Sequence, residues 1–238
     1  MAMNPRDPTF GLRRPLRLGV LVSGGGTNLQ AVLNASAQGA PFNVQVVVSN
    51  RPGVYAFERA TAAGVPTQTV DHRGFGQDRA AFERAILSVL AAHDVDLVVL
   101  AGFMRVLTPT LLDAFPDRVV NVHPALCPAF PGVDAPAQAL AWGVHVTGCT
   151  VHLVDAGTDT GPILAQQVVA VHPDDDRQRL HERIQRAEHR LLPEVLTLLA
   201  EGRVRLDGRR VSVLPVKTCP TPPPTSTSSS SGTASPDC

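Results

Sequence analysis

The sequence predicts an α/β protein with a Rossmann-like, mostly parallel central sheet, helices on both faces, and antiparallel additions in its C-terminal half. Three observations carry this prediction. Short apolar runs alternate with segments whose apolar residues recur at helical spacing, which is typical of a parallel sheet covered on both faces. A glycine-rich loop follows the first apolar run and opens a helix. In the second half, two β-rich runs follow each other with only a loop between them, which favours an antiparallel pair.

The first half supplies the predicted parallel strands, which are apolar nearly throughout, as expected of strands buried on both faces. We predict helices that begin at residue 29 and span residues 55–63 and 78–93, the last with apolar residues at helical spacing. The predicted strands are residues 16–22, 44–49, 67–70, 97–101 and 119–123.

The second half has a different pattern. We predict a short helix at 135–142, an antiparallel pair of strands at 147–154 and 163–171, and a long amphipathic helix at 176–199. A small hairpin is expected around Asp207-Gly208, with strands at 204–206 and 210–213. The first 15 residues are polar and broken by prolines, so residues 1–15 are expected to form a flexible arm. Residues 217–238 are mostly Pro, Ser and Thr with almost nothing apolar, which predicts a disordered tail.

Composition argues against several partners. Acidic and basic residues balance at 21 each in the 238-residue chain, so no net field favours nucleic acid or a membrane surface. No run approaches the roughly 18 apolar residues of a membrane span. The four cysteines, Cys127, Cys149, Cys219 and Cys238, form no pair at metal-ligand spacing. We therefore expect a reduced, cytoplasmic compartment and no metal.

The loop from Ser23 to Asn28 reads Ser-Gly-Gly-Gly-Thr-Asn and joins the first strand to a helix. Bare N–H groups and the positive end of the helix dipole would meet there, which makes an anion site. Leu29 stands where a dinucleotide fingerprint needs its third glycine, and the Gly-Lys-Ser/Thr of a P-loop is missing. The loop thus favours a monophosphate. A tight turn that needs glycine for its backbone angles is the structural alternative.

The stretch after the fifth strand carries the candidate chemistry. Strand alternation places Asn121 and His123 on the same face, at the carboxyl end where ligands bind in open α/β sheets. With Asp159 they would supply an amide donor, an acid or base, and a carboxylate that favours protonated imidazole. This set suits a tetrahedral oxyanion intermediate. Cys127 is interpreted as an inert thiol in an apolar loop, and we expect the remaining histidines of the second half to have surface or structural roles: His145, His152, His172, His181 and His189.

Four motifs in order resemble those of the glycinamide ribonucleotide formyltransferase family, and the match is collinear from about residue 16 to 213. They are Ser23-Gly-Gly-Gly-Thr-Asn28, Gly102-Phe-Met-Arg105, Asn121-Val-His-Pro124 and Asp159-Thr-Gly-Pro162. The resemblance implies transfer of a formyl group from 10-formyltetrahydrofolate to the amine of phosphoribosylglycinamide in purine synthesis. It also implies small-molecule partners only, in a monomer or a homodimer.

The resemblance also implies a role for each site residue. Asn121 and His123 would be catalytic, with Asp159 as the partner of His123. The phosphate would lie on Gly26, Thr27 and Asn28, and Glu188 would bind the ribose hydroxyls. The folate site would comprise Asn121 and the following residues: Arg79, Met104, Arg105, Val106, Leu107, Asp155, Ala156, Gly157 and Thr158. On this view residues 16–216 are one domain, with a phosphate-binding half at 16–123 and a folate-side half at 124–216.

Three departures from the family pattern stand out: Cys127 replaces a leucine, Thr160 replaces a frequent glycine, and Asp134 stands near where some relatives carry histidine. Thr160 is expected to restrict its loop, since only glycine enters positive φ freely. Two alternatives use a similar core. Deformylases carry an extra N-terminal domain that roughly 15 residues could not form. Methionyl-tRNA formyltransferases carry a further C-terminal domain and need basic surface. A nucleotide-binding sensor without catalysis is a third alternative, which the Asn-His-Asp set disfavours.

Overall fold

The structure is a computed structural model that describes Asp7, Pro8, Leu12 and residues 14–215. The predicted disordered tail, residues 217–238, and most of the predicted arm lie outside the described residues. Within the arm, Asp7 Oδ2 lies 3.0 Å from Arg205 Nη1, and Leu12 packs against the hydrophobic core. Both positions contact the folded chain, which the prediction of a loose arm did not include.

A seven-stranded sheet forms the centre of the described chain, in the order β3-β2-β1-β4-β5-β6-β7. The pairings among β1 to β5 are parallel, and β6 is antiparallel to both β5 and β7. A separate antiparallel hairpin, β8 with β9, follows near the C-terminal end of the described chain. The predicted fold class is confirmed. The strands are β1 (Leu16–Val22), β2 (Phe42–Ser49), β3 (Thr67–Thr69), β4 (Leu97–Leu100), β5 (Val119–His123), β6 (Val146–Leu153), β7 (Ile163–Ala170), β8 (Val204–Asp207) and β9 (Arg210–Val213).

The helices cover both faces of this sheet, and their predicted ends shift by only one or two residues. The short helix α4 and a 3-10 turn at His72–Phe75 were not predicted, because four residues are too few to show a period. Among the described residues, no helix has the length and apolar character needed to cross a membrane. The helices are α1 (Thr27–Ala37), α2 (Tyr55–Ala62), α3 (Arg79–Ala92), α4 (Pro109–Leu112), α5 (Ala135–Trp142) and α6 (Arg177–Ala200).

Two hydrophobic clusters lie on opposite faces of the sheet. One packs α1, α2 and α6 against the sheet, and the other packs α3 and α4. Strand β1 contributes to both, since Val20 and Val22 lie in the first cluster and Leu21 in the second. This explains why the strand sequences are apolar without alternation.

Glu83 is a buried carboxylate on α3 that organises the loop before α4. Its side chain is 1% exposed. Oε1 accepts from the Thr108 N–H at 2.7 Å, while Oε2 accepts from the Thr108 hydroxyl at 2.6 Å and the Leu111 N–H at 3.1 Å. Three donors therefore converge on one carboxylate. An acidic residue in an amphipathic helix is expected to face solvent, so local sequence patterns do not indicate this contact.

Replacing Glu83 with alanine should lower the free energy of unfolding by about 2–4 kcal/mol, since three donors lose a charged acceptor inside the protein. Urea denaturation measures this change. Arg84→Ala is the matched control, because Arg84 is the next residue and its side chain is 61% exposed; it should change stability by less than about 0.5 kcal/mol. Equal effects of the two substitutions would contradict the structural role of Glu83.

Candidate active site

Strand β5 presents Asn121 and His123 on one face of the sheet, as strand alternation predicts. The Asn121 Nδ2 atom lies 3.1 Å from His152 Nε2, because Asn121 and His152 are directly opposite in the β5–β6 ladder. His123 Nε2 lies 2.8 Å from the Phe130 carbonyl oxygen. Since a carbonyl only accepts, this nitrogen carries the proton.

Asp159 completes the cluster from the loop between β6 and β7. Its Oδ2 accepts from the Gly132 N–H at 2.8 Å and lies 3.4 Å from His123 Nδ1. Its Oδ1 lies 3.5 Å from Asn121 Nδ2 and 3.6 Å from His152 Nε2. The predicted association of Asn121, His123 and Asp159 is therefore present in the geometry.

The environment of Asp159 keeps its carboxyl ionised. Burial alone would raise the pKa of Asp159, but the hydrogen bond from the Gly132 N–H and the two imidazoles beside the carboxyl, His123 and His152, outweigh it. The net pKa lies below its ordinary value of 3.8. A carboxylate that stays negative at neutral pH favours protonation of an imidazole beside it.

His152 is a buried member of this cluster that sequence reasoning assigned to a surface or structural role. Its Nδ1 lies 2.8 Å from the Leu153 carbonyl oxygen, so Nδ1 carries the proton and Nε2 can accept from Asn121. His152 thus fixes the orientation of the Asn121 amide. Strand alternation gives its face only once the β5–β6 register is known, so the sequence alone held no usable signal.

The hydrogen bonds of the cluster limit which groups are open to a substrate. One Asn121 amide hydrogen is held by His152, while the other meets Asp159 only at 3.5 Å, beyond the usual range of a hydrogen bond. Both nitrogens of His123 face protein acceptors, the Phe130 carbonyl and Asp159. A substrate oxygen must therefore compete with one of these acceptors for His123. Catalytic hydrogen bonds often adjust in this way when substrate binds.

A cleft of about 510 Å³ opens directly beside the cluster, with Asn121, His123, His152 and Asp159 in its wall. The structure places most of the predicted folate residues around it. The predicted residues in the wall are Met104, Arg105, Val106, Leu107, Asn121, Asp155, Gly157 and Thr158.

Two predicted folate residues lie outside this wall. The Arg79 guanidinium donates to the Val106 carbonyl oxygen and so contacts the backbone of the loop after β4. Ala156 is exposed in the Asp159 loop. His181, for which sequence reasoning expected a surface or structural role, contributes to the wall from α6.

The predicted phosphate loop ends at the N-terminus of α1. Gly26 is the N-cap with φ of 69°, and no side chain among the described residues caps this helix end. Its first N–H groups are therefore open to an anion. A Cβ at Gly26 would lie 2.6 Å from Ala56 Cβ, so glycine is also required there by the packing of α2. The structural reading of this glycine therefore holds, and phosphate binding at the loop stays a prediction.

Glu188 joins the phosphate loop from α6. The carboxyl is 4% exposed, and its Oε2 accepts from Asn28 Nδ2 at 2.9 Å. Burial raises the pKa of Glu188 to about 7, against the opposing effect of the Asn28 hydrogen bond. Asn28 Oδ1 is buried without a hydrogen-bond partner among the described residues. Two acceptor groups, Asn28 Oδ1 and the Glu188 carboxyl, therefore lie beside the open N–H groups.

Thr160 does not adopt positive φ, so the restriction expected from its backbone does not arise. The positive φ, 54°, falls on Asp159. The Thr160 hydroxyl donates to Asp155 Oδ1 at 2.6 Å, and its carbonyl accepts from Arg209 Nη2 at 2.6 Å. Threonine therefore ties the loop to itself and to the β8–β9 hairpin.

The other expectations concern cysteine and metal. Burial raises the pKa of the Cys127 thiol, which fits the inert-thiol interpretation. Within the described part of the chain, no group of three or more His, Cys, Asp or Glu side chains is placed to hold a metal ion.

The chain is similar to known proteins over most of its length. It is 50% identical over 208 residues to a phosphoribosylglycinamide formyltransferase of Mycobacterium tuberculosis, covering 84% of this chain and 94% of that protein. It is 45% identical over 193 residues to a trifunctional purine biosynthetic protein adenosine-3 of Drosophila melanogaster, covering 80% of this chain and 14% of that protein. The chain therefore spans a small part of that second relative's length.

Solved structures give the same picture. A glycinamide ribonucleotide transformylase 1 from Symbiobacterium toebii superimposes with a TM-score of 0.82 at 49% identity, covering 84% of this chain and 94% of that one. A formyltetrahydrofolate deformylase from Pseudomonas syringae shares the fold, with a TM-score of 0.78, but is 24% identical and covers 84% of this chain and 66% of that one. A family model described as formyl transferase matches residues 16–196. The chain belongs to the formyl transferase family.

Proposed function

We propose that the protein transfers the formyl group of 10-formyltetrahydrofolate to the amine of N1-(5-phospho-D-ribosyl)glycinamide, giving the N-formyl product and tetrahydrofolate in de novo purine biosynthesis. The observation that carries the proposal is the partly buried Asn121, His123 and Asp159 cluster in the wall of the cleft. The similarity to phosphoribosylglycinamide formyltransferases over most of the chain supports it.

The cluster suits direct attack of the amine on the formyl carbon. As the carbonyl becomes a tetrahedral oxyanion, the second Asn121 amide hydrogen, which meets Asp159 only at 3.5 Å, can donate to it, and His123 can donate a second hydrogen bond. The amine loses a proton, and the departing folate nitrogen gains one, so an acid-base group must move it. His123 fits this role because its Nδ1 lies 3.4 Å from the Asp159 carboxylate, which the Gly132 N–H holds in place.

The remaining residues divide between the two substrates. Open N–H groups at Gly26, Thr27 and Asn28 would receive the phosphate. Glu188 and the unpartnered Asn28 Oδ1 would accept from the ribose hydroxyls. Met104 to Leu107 and Asp155 to Thr158 would hold the pterin in the cleft. Arg79 would reach the glutamate carboxylate of folate only with an N–H not used by Val106.

Further parts of the proposal rest on composition and on the type of reaction. The substrates are small molecules, and no metal takes part. We expect the reaction in a reducing cytoplasm. The protein acts as a monomer or a homodimer.

The direct test of the function is a formyl transfer assay with purified protein, phosphoribosylglycinamide and 10-formyltetrahydrofolate, followed through the folate spectrum. Tetrahydrofolate should form only when both substrates are present. Omitting phosphoribosylglycinamide provides the control for hydrolysis. Equal rates with and without it would identify a deformylase and contradict the proposal.

Asp159→Asn should lower turnover about a hundred- to a thousandfold, because it removes the carboxylate that faces His123 beside the oxyanion. The Michaelis constants should change less. His123→Asn should be comparably severe, and the double variant far less than multiplicatively worse, since the residues act as one unit. Steady-state kinetics of the four proteins measure this. The exposed Asp113→Asn is the control, and near-normal turnover of Asp159→Asn would remove Asp159 from the mechanism.

Glu188→Gln should become more stable relative to the unaltered protein as pH rises. The folded-state pKa of about 7 lies above the ordinary value of 4.5, so protonated Glu188 stabilises the fold fully below pH 4.5. This contribution is lost as pH rises through 7. Glutamine keeps an acceptor for Asn28 without the buried charge, and the difference between pH 5 and 8 should be on the order of 1–3 kcal/mol.

Urea unfolding at several pH values measures this difference. Glu194→Gln, at an exposed position on the same helix, should show no such trend. The ribose-binding role adds a second readout: the Michaelis constant for phosphoribosylglycinamide should rise in Glu188→Gln, while that for the formyl donor should stay close to normal. A pH-independent difference in stability would show that Glu188 does not carry the buried charge.

A further inference from the structure

A buried hydrogen-bonded bridge joins three chain segments beside the cleft. Ser23 follows β1, Asn50 follows β2, and Met104 lies in the loop after β4. Because β1, β2 and β4 are parallel, their carboxyl ends meet at one edge of the sheet. Ser23 is 6% exposed and Asn50 is 1% exposed.

The Ser23 hydroxyl is the centre of this bridge. It donates to Asn50 Oδ1 at 2.6 Å and accepts from the Met104 N–H at 2.9 Å. His72 Nδ1 lies 2.8 Å from the Asn50 carbonyl oxygen, so it carries a proton and donates there. This contact holds the Asn50 backbone, in addition to the hydrogen bond on its side chain. The Ser23 hydroxyl uses both its proton and a lone pair.

The two ends of the bridge belong to different substrate regions. Ser23 immediately precedes Gly24, whose carbonyl accepts from the Ala56 N–H at 3.2 Å at the start of α2. Met104 is part of the cleft wall, and its side chain is 65% exposed. The Ser23 hydroxyl thus connects the backbone of the loop after β4 to the start of the phosphate loop.

We propose that Ser23 and Asn50 are positioning residues. Through the Met104 N–H, they hold the loop after β4, which would contact the formyl donor, in a fixed position relative to the phosphate loop. This inference rests on the proposed function, which puts the two reactants on these two loops. Neither side chain lines the cleft, so the effect passes through the backbone of Met104. Without the Ser23 hydroxyl, the Met104 N–H loses its acceptor and the loop after β4 can shift.

The test compares Ser23→Ala, Asn50→Ala and the double variant with Ser49→Ala. Ser49 is a matched control because it is fully buried at the same sheet edge, while its hydroxyl, within the described part of the chain, hydrogen-bonds only with the Arg51 backbone of its own turn. Ser23→Ala should raise the Michaelis constant for 10-formyltetrahydrofolate about tenfold, the scale of one lost buried hydrogen bond. The Michaelis constant for phosphoribosylglycinamide should change less than about twofold.

Asn50→Ala should act in the same direction, and the double variant should be no worse than Ser23→Ala, because both changes break one bridge. Ser49→Ala should leave both Michaelis constants unchanged. If the unaltered protein is active but Ser23→Ala has the same Michaelis constants as Ser49→Ala, the positioning role is wrong, whereas the proposed function is not contradicted. An unaltered chain without formyl transfer overturns the proposed function and this inference with it.

Amide exchange gives a readout that does not depend on a folded Ser23 variant. The Met104 amide of the unaltered chain should be protected, and Asn50→Ala should speed its exchange. If Ser23→Ala does not fold, these two measurements decide the matter. Exchange of the Met104 amide as fast as that of exposed loop amides would overturn the bridge.

Discussion

The carboxylate of Asp159 is the group on which the candidate active site depends. It receives the Gly132 N–H on one oxygen, lies 3.4 Å from His123 on the same oxygen, and faces Asn121 and His152 with the other. These partners come from β5, β6 and the loop after β5. One buried negative charge therefore fixes the relative positions of segments that the chain brings in separately. The cost of burying it is offset by these hydrogen bonds and charges.

The loop that carries Asp159 is itself held from outside the cleft. Thr160 bonds to Asp155 within the loop, and Arg209 of the β8–β9 turn donates to the Thr160 carbonyl. The hairpin lies beyond residues 16–196, the part matched by the family model. This C-terminal hairpin thus contacts the residue next to Asp159. The backbone of Asp159, at positive φ, depends on such support because non-glycine residues rarely adopt that conformation unaided.

The two carboxyl groups of the site differ in pKa because their surroundings differ. Asp159 has four polar neighbours, the Gly132 N–H and the side chains of Asn121, His123 and His152, and its pKa lies below the ordinary value. Glu188 is more deeply buried, with one hydrogen-bond donor among the described residues, and burial raises its pKa to about 7. On the proposed function, the hydroxyl groups of a ribose would supply donors that Glu188 lacks in the free protein.

The sequence by itself determined the order and type of the main elements and the motifs that carry the site. Apolar periodicity marks every long helix and strand, and alternation alone places Asn121 and His123 on one face. His152 was missed because it stands 31 positions from Asn121 and meets it only through the β5–β6 register. Glu83 and the Ser23–Asn50 bridge were missed because their partners lie on other segments. Local patterns report a residue's neighbours along the chain, whereas the partners of a buried polar group are chosen by tertiary packing.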